Sequence, residues 1–298
     1  MTAPVRCAVI PVGGLGTRFL PATKVLAKEM LPVADRPLIQ YAVEEAFAAG
    51  IERIVIVTGP GKAAIKDHFA PAPALETALK EGGKSDLLAL LEATNYPADL
   101  IVYTEQPEPR GLGHAVWCAR ELVGDQPFAV LLPDDLVLGP QSCLEQMIAD
   151  YDRVGGNMVA VMDVARAHTD RYGVLDPGVE TGSLVEVLGL VEKPKPADAP
   201  STLSIIGRYI LQPTIFDRLR HQGVGAGGEI QLTDAMQGLI GSVPFHGFRF
   251  AGRRFDCGTK LGFLEASIAY ALAHDDLAGG ARALIERFAT ALAQKDTT

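Results

Sequence analysis

The residues most able to do chemistry in this sequence lie close together near its start. Gly13-Gly14-Leu15-Gly16-Thr17-Arg18 follows directly on an apolar run, and Lys24 and Lys28 come soon after it. Glycines without Cβ atoms let a backbone approach a phosphate closely and turn successive N–H groups inward. Two ammonium groups further on would then meet the far end of a bound polyphosphate. Pro21 and Pro32 flank the lysines and stiffen an extended path between them. A dinucleotide fingerprint is the obvious competitor. GxGxxG counted from Gly14 needs a third glycine where Phe19 stands, and Pro21 interrupts the helix that should receive a pyrophosphate. A Walker A loop fails as well, because Gly61-Lys62 is followed by Ala63.

Taken together, Gly14-Leu15-Gly16-Thr17-Arg18, Pro21-Ala22-Thr23-Lys24 and Lys28-Glu29-Met30-Leu31-Pro32 resemble the signature of the sugar-1-phosphate nucleotidylyltransferases. The Ala-Thr-Lys and Lys-Glu-Met spacing is similar to that of the bacterial UTP–glucose-1-phosphate uridylyltransferases, and the likeness runs from Ala8 to about Tyr270. The resemblance implies transfer of a uridylyl group from UTP to glucose-1-phosphate, giving UDP-glucose and pyrophosphate, with Mg²⁺ as cofactor in a homodimer or homotetramer. Carried onto this sequence, it implies nucleotide contacts at Val12, Gly13, Gly14, Gly16, Thr17 and Glu29. Gln106 and the Gly111-Leu112-Gly113-His114-Ala115 loop, Gly111 above all, would contact uracil. Gly173, Glu192 and Gly207 would contact the sugar, Arg18, Lys28 and Lys193 would carry the catalysis, and Asp134 would hold the metal with Asp256 as a candidate second ligand. Gly228-Glu229-Ile230-Gln231-Leu232-Thr233-Asp234 completes the series. The family usually has alanine where Gly13 stands, a change expected to loosen the turn without removing its N–H donors.

The chemistry so implied is consistent with the residue types. A phosphate monoester has a second pKa of about 6 and is already a nucleophile at neutral pH. No general base is required, and no Ser-His-Asp arrangement is evident. Catalysis is then positioning plus charge stabilisation in an in-line displacement. Plainer readings stand beside these: Asp134-Asp135 as a helix cap, Lys193 as a solvated loop lysine, and Glu229 as the stabiliser of a helix start. His114 is expected to be a polar residue at a helix start, without chemistry. Use of dTTP in place of UTP, or a sensor that binds without turnover, are the competing functions.

The elements that must position these groups form a regular pattern. Strands are expected at 5–12, 54–58, 100–104, 128–132 and 158–164, with helices at 37–49, 63–69, 114–122 and 143–154 between them. Such alternation predicts an α/β fold with a Rossmann-like, mostly parallel mixed sheet covered by helices on both faces. Ligands in such sheets bind beyond the carboxyl ends of the strands, which gathers 13–18, 106–113 and 134–135 at one edge. After residue 165 the runs 173–175, 184–192 and 204–211 suggest an added small β layer. The expected division is an α/β domain over 1–260, its nucleotide-binding part about 1–164 and its sugar-binding part about 165–260, then a helical tail over 261–298. That tail reads as two helices parted at Gly279-Gly280, with Leu284, Ile285, Phe288 and Leu292 on one face to dock on the core or another subunit. Residues 70–97 read as a helical insertion over the sheet.

Composition narrows the field further. The 298 residues carry a net charge of −9, which argues against a nucleic-acid partner, yet residues 1–36 hold five basic side chains against two acidic ones. No apolar run reaches the length of a membrane span, and the start lacks a signal-peptide pattern, so a cytoplasmic protein without membrane partners is expected. Cys7, Cys118, Cys143 and Cys257 lack CxxC spacing and read as buried free thiols.

Overall fold

The structure is a computed structural model that describes residues 2–295. In chain order, β1 (Cys7–Val12) is followed by a loop of short 3-10 turns, then β2 (Pro32–Val33), β3 (Arg36–Pro37) and α1 (Leu38–Ala48). Next come β4 (Arg53–Thr58), α2 (Ala63–His68), α3 (Pro73–Glu81), α4 (Ser85–Glu92) and β5 (Ile101–Glu105). After α5 (Leu112–Cys118) and α6 (Arg120–Val123) come β6 (Phe128–Leu131), β7 (Asp135–Leu138), α7 (Cys143–Val154) and β8 (Asn157–Asp163). The second half contains β9 (Gly173–Thr181), β10 (Leu184–Glu192), β11 (Leu203–Leu211), α8 (Ile215–His221) and α9 (Leu232–Gln237). It ends with β12 (Phe245–Arg249), β13 (Arg253–Asp256), α10 (Lys260–Ala273) and α11 (Ala278–Lys295).

β1 shows why the sheet is covered twice. Cys7 and Val9 enter one face of the core and Ala8, Ile10 and Val12 the other, the period-two alternation of a strand. A strand apolar on both sides has to be buried on both. α5, α8 and α9 cover the first face, through Val116, Leu219 and Met236 among others. α1, α2 and α7 cover the second, through Val43, Ile65 and Met147.

The nine-stranded sheet runs β5-β4-β1-β6-β11-β8-β12-β10-β9. Pairing is parallel through β5, β4, β1 and β6, so their following loops emerge at one edge. β11 enters antiparallel between β6 and β8, β12 lies parallel to β8, and β10 and β9 close the far side antiparallel. The strands after residue 165 therefore join the main sheet instead of adding a separate layer. β11 explains this. Its nine residues are all buried, with Ile205 and Tyr209 in one core cluster and Ile206 and Ile210 in the other, so it has to lie inside a covered sheet. A separate small ribbon does exist, formed by β7 and β13 beneath α10.

Several further expectations change. The path from Thr17 to Met30 folds into three 3-10 turns and is not extended. The hairpin of α3 and α4 buries no residue and does not pack over the sheet; Tyr96 beyond it is what anchors the segment, stacked on Phe47 at 5.0 Å. The C-terminal helices part at 274–277, where His274 Nδ1 accepts the Asp276 N–H, while Gly279-Gly280 sits in the first turn of α11. α11 packs on α10 and leaves Leu284, Ile285, Phe288 and Leu292 exposed, so it does not dock on the core. All four cysteines are free, and Cys118 is only half-buried. Among the described residues no helix is long and apolar enough to cross a membrane.

Candidate active site

Two cavities open along the edge where the parallel strands end, with the glycine loop between them. Gly13, Gly14 and Leu15 wall a cavity of about 320 Å³ together with Gly59, Lys62 and Gln106, while Arg18 faces a larger one of about 560 Å³. Gly16 has φ +64, and a Cβ there would lie 3.1 Å from side-chain carbons of both Lys28 and Thr23. Its carbonyl accepts the Thr23 hydroxyl at 2.7 Å, which ties the glycine turn to the lysine-bearing segment. Val12, Gly16, Thr17 and Gly111, expected to contact the nucleotide, line neither cavity. Glu29 also lines neither cavity. It is buried, accepts the Lys62 ammonium at 2.8 Å and so holds a lining cation in place. Burial pushes its carboxyl above the usual range despite Lys62 and Lys28 nearby.

Gln106 leaves β5 with its N–H on the Thr58 carbonyl at 2.8 Å. Its amide nitrogen donates to the Gly111 carbonyl and to His114 Nδ1, both at 3.1 Å. A Cβ on Gly13 would come within 2.5 Å of the Gln106 carbonyl oxygen. Glycine at this position therefore does more than loosen a turn: it leaves the space that Gln106 fills.

The larger cavity gathers the rest of the expected set. Arg18, Asp134, Gly173, Glu192, Lys193, Gly207 and Asp256 all line it. Lys28 reaches it through its ion pair with Asp134, at 2.5 Å. Burial pulls the Lys28 ammonium down, but the carboxylates of Asp134 and Glu29 outweigh it and leave the pKa raised. Burial pushes the Asp134 carboxyl up, and Lys28 more than reverses this, so Asp134 stays ionised below the usual carboxylate range. Asp256 accepts the Gly258 N–H at 3.0 Å, and the Thr259 hydroxyl caps α10 directly behind it. Asp134 and Asp256 converge: a Cβ on Gly258 would fall 3.2 Å from one carboxylate and 3.0 Å from the other. Two hard oxygen donors around a gap left by a glycine fit a magnesium-type cation that takes its remaining ligands from phosphate and water.

In the same cavity, Glu192 accepts the Thr233 hydroxyl at 2.6 Å and pairs with the Lys193 ammonium at 3.1 Å. Lys193 has φ +47, a left-handed backbone that costs a non-glycine residue about 1–2 kcal/mol. Its N–H donates to the Tyr172 carbonyl at 2.9 Å, and that bond holds the conformation. A Cβ on Gly173 would sit 3.0 Å from the Thr233 hydroxyl, and one on Gly207 2.6 Å from Leu132, so both glycines allow close approach of backbone to the site.

The residues that sequence reasoning missed form the support. Asp135 is buried and accepts the Gly207 N–H at 2.7 Å and Arg254 Nε at 2.6 Å, while Arg254 Nη1 donates to the Tyr172 hydroxyl at 3.0 Å. Arg208 is wholly buried on β11 and grips Glu45 of α1 through two hydrogen bonds, at 3.0 and 2.7 Å. One signal was available: an arginine inside the run Ile205-Ile206-Gly207-Arg208-Tyr209-Ile210 must find a buried acceptor. Which acceptor it finds is a tertiary fact.

Comparison with known proteins gives the family. The nucleotidyl transferase family profile matches residues 7–272. The UTP–glucose-1-phosphate uridylyltransferase of Komagataeibacter xylinus is 52% identical over 261 residues, covering 88% of this chain and 92% of the relative. That of Bacillus subtilis is 50% identical over 273 residues, covering 92% and 93%. Among solved structures, a UTP-bound UGPase from Acinetobacter baumannii superposes with a TM-score of 0.88 at 42% identity, covering 94% of this chain and 98% of that one. A UDP-glucose pyrophosphorylase complexed with UDP-glucose gives 0.81 at 40% identity, covering 91% and 100%. The chain belongs to the nucleotidyl transferase family and groups with its UTP–glucose-1-phosphate uridylyltransferases.

Proposed function

We propose that the chain transfers the uridylyl group of UTP to glucose-1-phosphate, releasing UDP-glucose and pyrophosphate. The observation that carries this reading is the meeting at one cavity of the Lys28–Asp134 pair, Arg18 and Asp256 with Glu192 and Lys193 from the second half of the chain. The phosphate of glucose-1-phosphate attacks the α-phosphorus in line; a P–O bond forms there as the bond to the β-phosphate breaks, and pyrophosphate leaves. Both reactants are polyanions, so their mutual repulsion is the main obstacle. Lys193 binds the sugar phosphate and Glu192 accepts hydrogen bonds from sugar hydroxyls. Lys28 and Arg18 stabilise charge on the α-phosphoryl group and on the departing pyrophosphate. Asp134 and Asp256 would hold Mg²⁺, which would supply positive charge to offset the negative charge of the phosphates. Gln106 and the loop at Gly111 take the uracil.

This reading assigns the nucleotide to residues about 1–164 and the sugar to about 165–260. In its support, every residue lining the smaller cavity precedes 110. It also makes the protein a homodimer or homotetramer, for which the exposed apolar residues of α10 and α11 are the supporting feature.

The deciding experiment incubates the protein with UTP, glucose-1-phosphate and Mg²⁺ and follows pyrophosphate and UDP-glucose. EDTA-sensitive turnover that prefers UTP over dTTP, and glucose-1-phosphate over galactose-1-phosphate, is the expected result. Preference for dTTP would move the chain to thymidylyl transfer, and binding of UDP-glucose without turnover would make it a sensor.

A further inference from the structure

His114 stands in the first turn of α5, half-buried, and takes no part in the steps above. Its neighbour Gln106 offers its amide to two groups at once, the Gly111 carbonyl and His114 Nδ1. A carbonyl oxygen only accepts, so the amide atom facing Gly111 is the nitrogen, and both of its hydrogens are committed. Nδ1 must then accept. The ring proton consequently sits on Nε2, where Cys118 Sγ lies at 3.8 Å, and the Glu108 backbone also hydrogen-bonds the ring. The Gln106 carbonyl oxygen accepts no hydrogen bond among the described residues. It lies over Gly13 on the wall of the smaller cavity, on a side chain only 4% exposed. An acceptor held unengaged at the edge of a cavity, with its own nitrogen tied back, is available to a ligand's N–H.

We propose that His114 is the positioning residue for base recognition: with the Gly111 carbonyl it fixes the orientation of the Gln106 amide so that an acceptor, not a donor, meets the base. This rests on the reading of the smaller cavity as the uracil site. An amide is nearly symmetric in shape, and a half-turn would exchange its oxygen and nitrogen. Such a half-turn would set the oxygen against the Gly111 carbonyl, which can only accept, and would require the ring proton to leave Nε2 for Nδ1. Uracil carries an N–H at N3 and needs an acceptor there. Cytosine has a bare N3 and needs a donor. His114 and the Gly111 carbonyl together thereby favour uracil over cytosine. Burial first, and then the charge of Arg110, hold the imidazole pKa below its ordinary value against the opposing pull of Glu108, which keeps the accepting form.

The test is steady-state kinetics with UTP and with CTP at saturating glucose-1-phosphate, for the intact chain, His114→Ala and His114→Asn, with melting temperatures recorded. Asparagine carries an oxygen acceptor at the same δ position as Nδ1. The expected result for His114→Ala is a rise of about tenfold in KM for UTP with kcat within about threefold, the size of one lost positioned hydrogen bond. The preference for UTP over CTP narrows with it, and His114→Asn recovers most of both. The proposal is overturned if His114→Ala leaves KM and preference within about twofold, a change smaller than one such hydrogen bond. It is equally overturned if His114→Asn is as impaired as His114→Ala, or if kcat and melting temperature fall with the preference intact. Calorimetry separates the parent reading from this one: failure of the intact chain to bind UTP removes the uracil site itself, whereas binding with no effect of His114 removes only its role.

Discussion

Lys193 holds its ammonium in the larger cavity from a left-handed backbone, braced by the Tyr172 carbonyl and by Glu192. On the proposed function, a donor held there in advance meets phosphate charge with little reorganisation left at the moment of reaction. Lys193→Ala should lower kcat by at least about 10²-fold, the usual loss on removing one aimed donor. A fall of less than about tenfold with both substrates saturating would sink that role. His114 supplies the pH-dependent counterpart. The charged and titratable groups around its ring are Arg110, Glu108 and Cys118. Its lowered pKa keeps the ring neutral at pH 7, and protonation would put an N–H where Gln106 already donates. KM for UTP should therefore be level at neutral pH and rise as pH falls below the ordinary histidine range. In His114→Asn that rise should shrink to whatever the titration of UTP itself contributes, and identical profiles for the two proteins would exclude the imidazole as its source.

At the scale of elements, the loop before α5 and the segment before α9 are joined by backbone. The Gly113 N–H donates to the Ile230 carbonyl at 2.9 Å, and the Ile230 N–H to the Arg110 carbonyl at 2.8 Å. Gly111 makes this approach possible, with φ +103 and room for no Cβ: the nearest atoms, Glu229 Cβ and the Ile230 carbonyl, would be 2.8 Å away. Gln231 and Thr233 line the larger cavity, to which the proposed function assigns the sugar phosphate, so displacing this loop should be felt by both substrates. Gly111→Ala is expected to raise KM for UTP and for glucose-1-phosphate together, and to cost about 2–4 kcal/mol in urea unfolding from backbone strain plus overpacking. An effect on UTP alone would show that the two sides are not joined through this loop. The parallel strands and their helices were legible in the sequence because apolar runs bounded by glycine signal them locally. β9, β10 and β11 were legible as strands, but not as members of the same sheet, since pairing partners far apart in sequence leave no local mark. The 3-10 turns at 17–30 were not legible either: prolines signal a restricted backbone without saying which turn results.

For the whole molecule, charge and shape divide the work. A chain of net charge −9 lines one cavity with Arg18, Arg171, Lys193 and Arg254 and also with Asp134, Asp135, Asp170, Glu192, Glu229 and Asp256, so polyanion binding there depends on where each cation sits and not on a net positive field. At the opposite extreme, α11 contributes little to the core and keeps Phe288 60% and Leu292 63% exposed. Ending the chain after Leu277 should shift the melting temperature by only about 2–4 °C, consistent with a loss of about 1 kcal/mol in a protein of this size. Light scattering should then report a smaller assembly than that of the intact chain. An unchanged mass would place the contact between copies elsewhere.

The sequence by itself determined the chemistry: a glycine turn followed by lysines, aspartates after an apolar run, and Glu192-Lys193-Pro194 further on, because these depend on residue type and short spacing. It determined the parallel half of the sheet for the same reason. Only the tertiary structure decided that Glu29 serves Lys62, that Asp135 braces Gly207 and Arg254, that Arg208 closes on Glu45, and that His114 faces Gln106. Most of these partners lie tens of residues apart, and a buried polar group announces in sequence that it needs a partner without saying which the fold will bring to it.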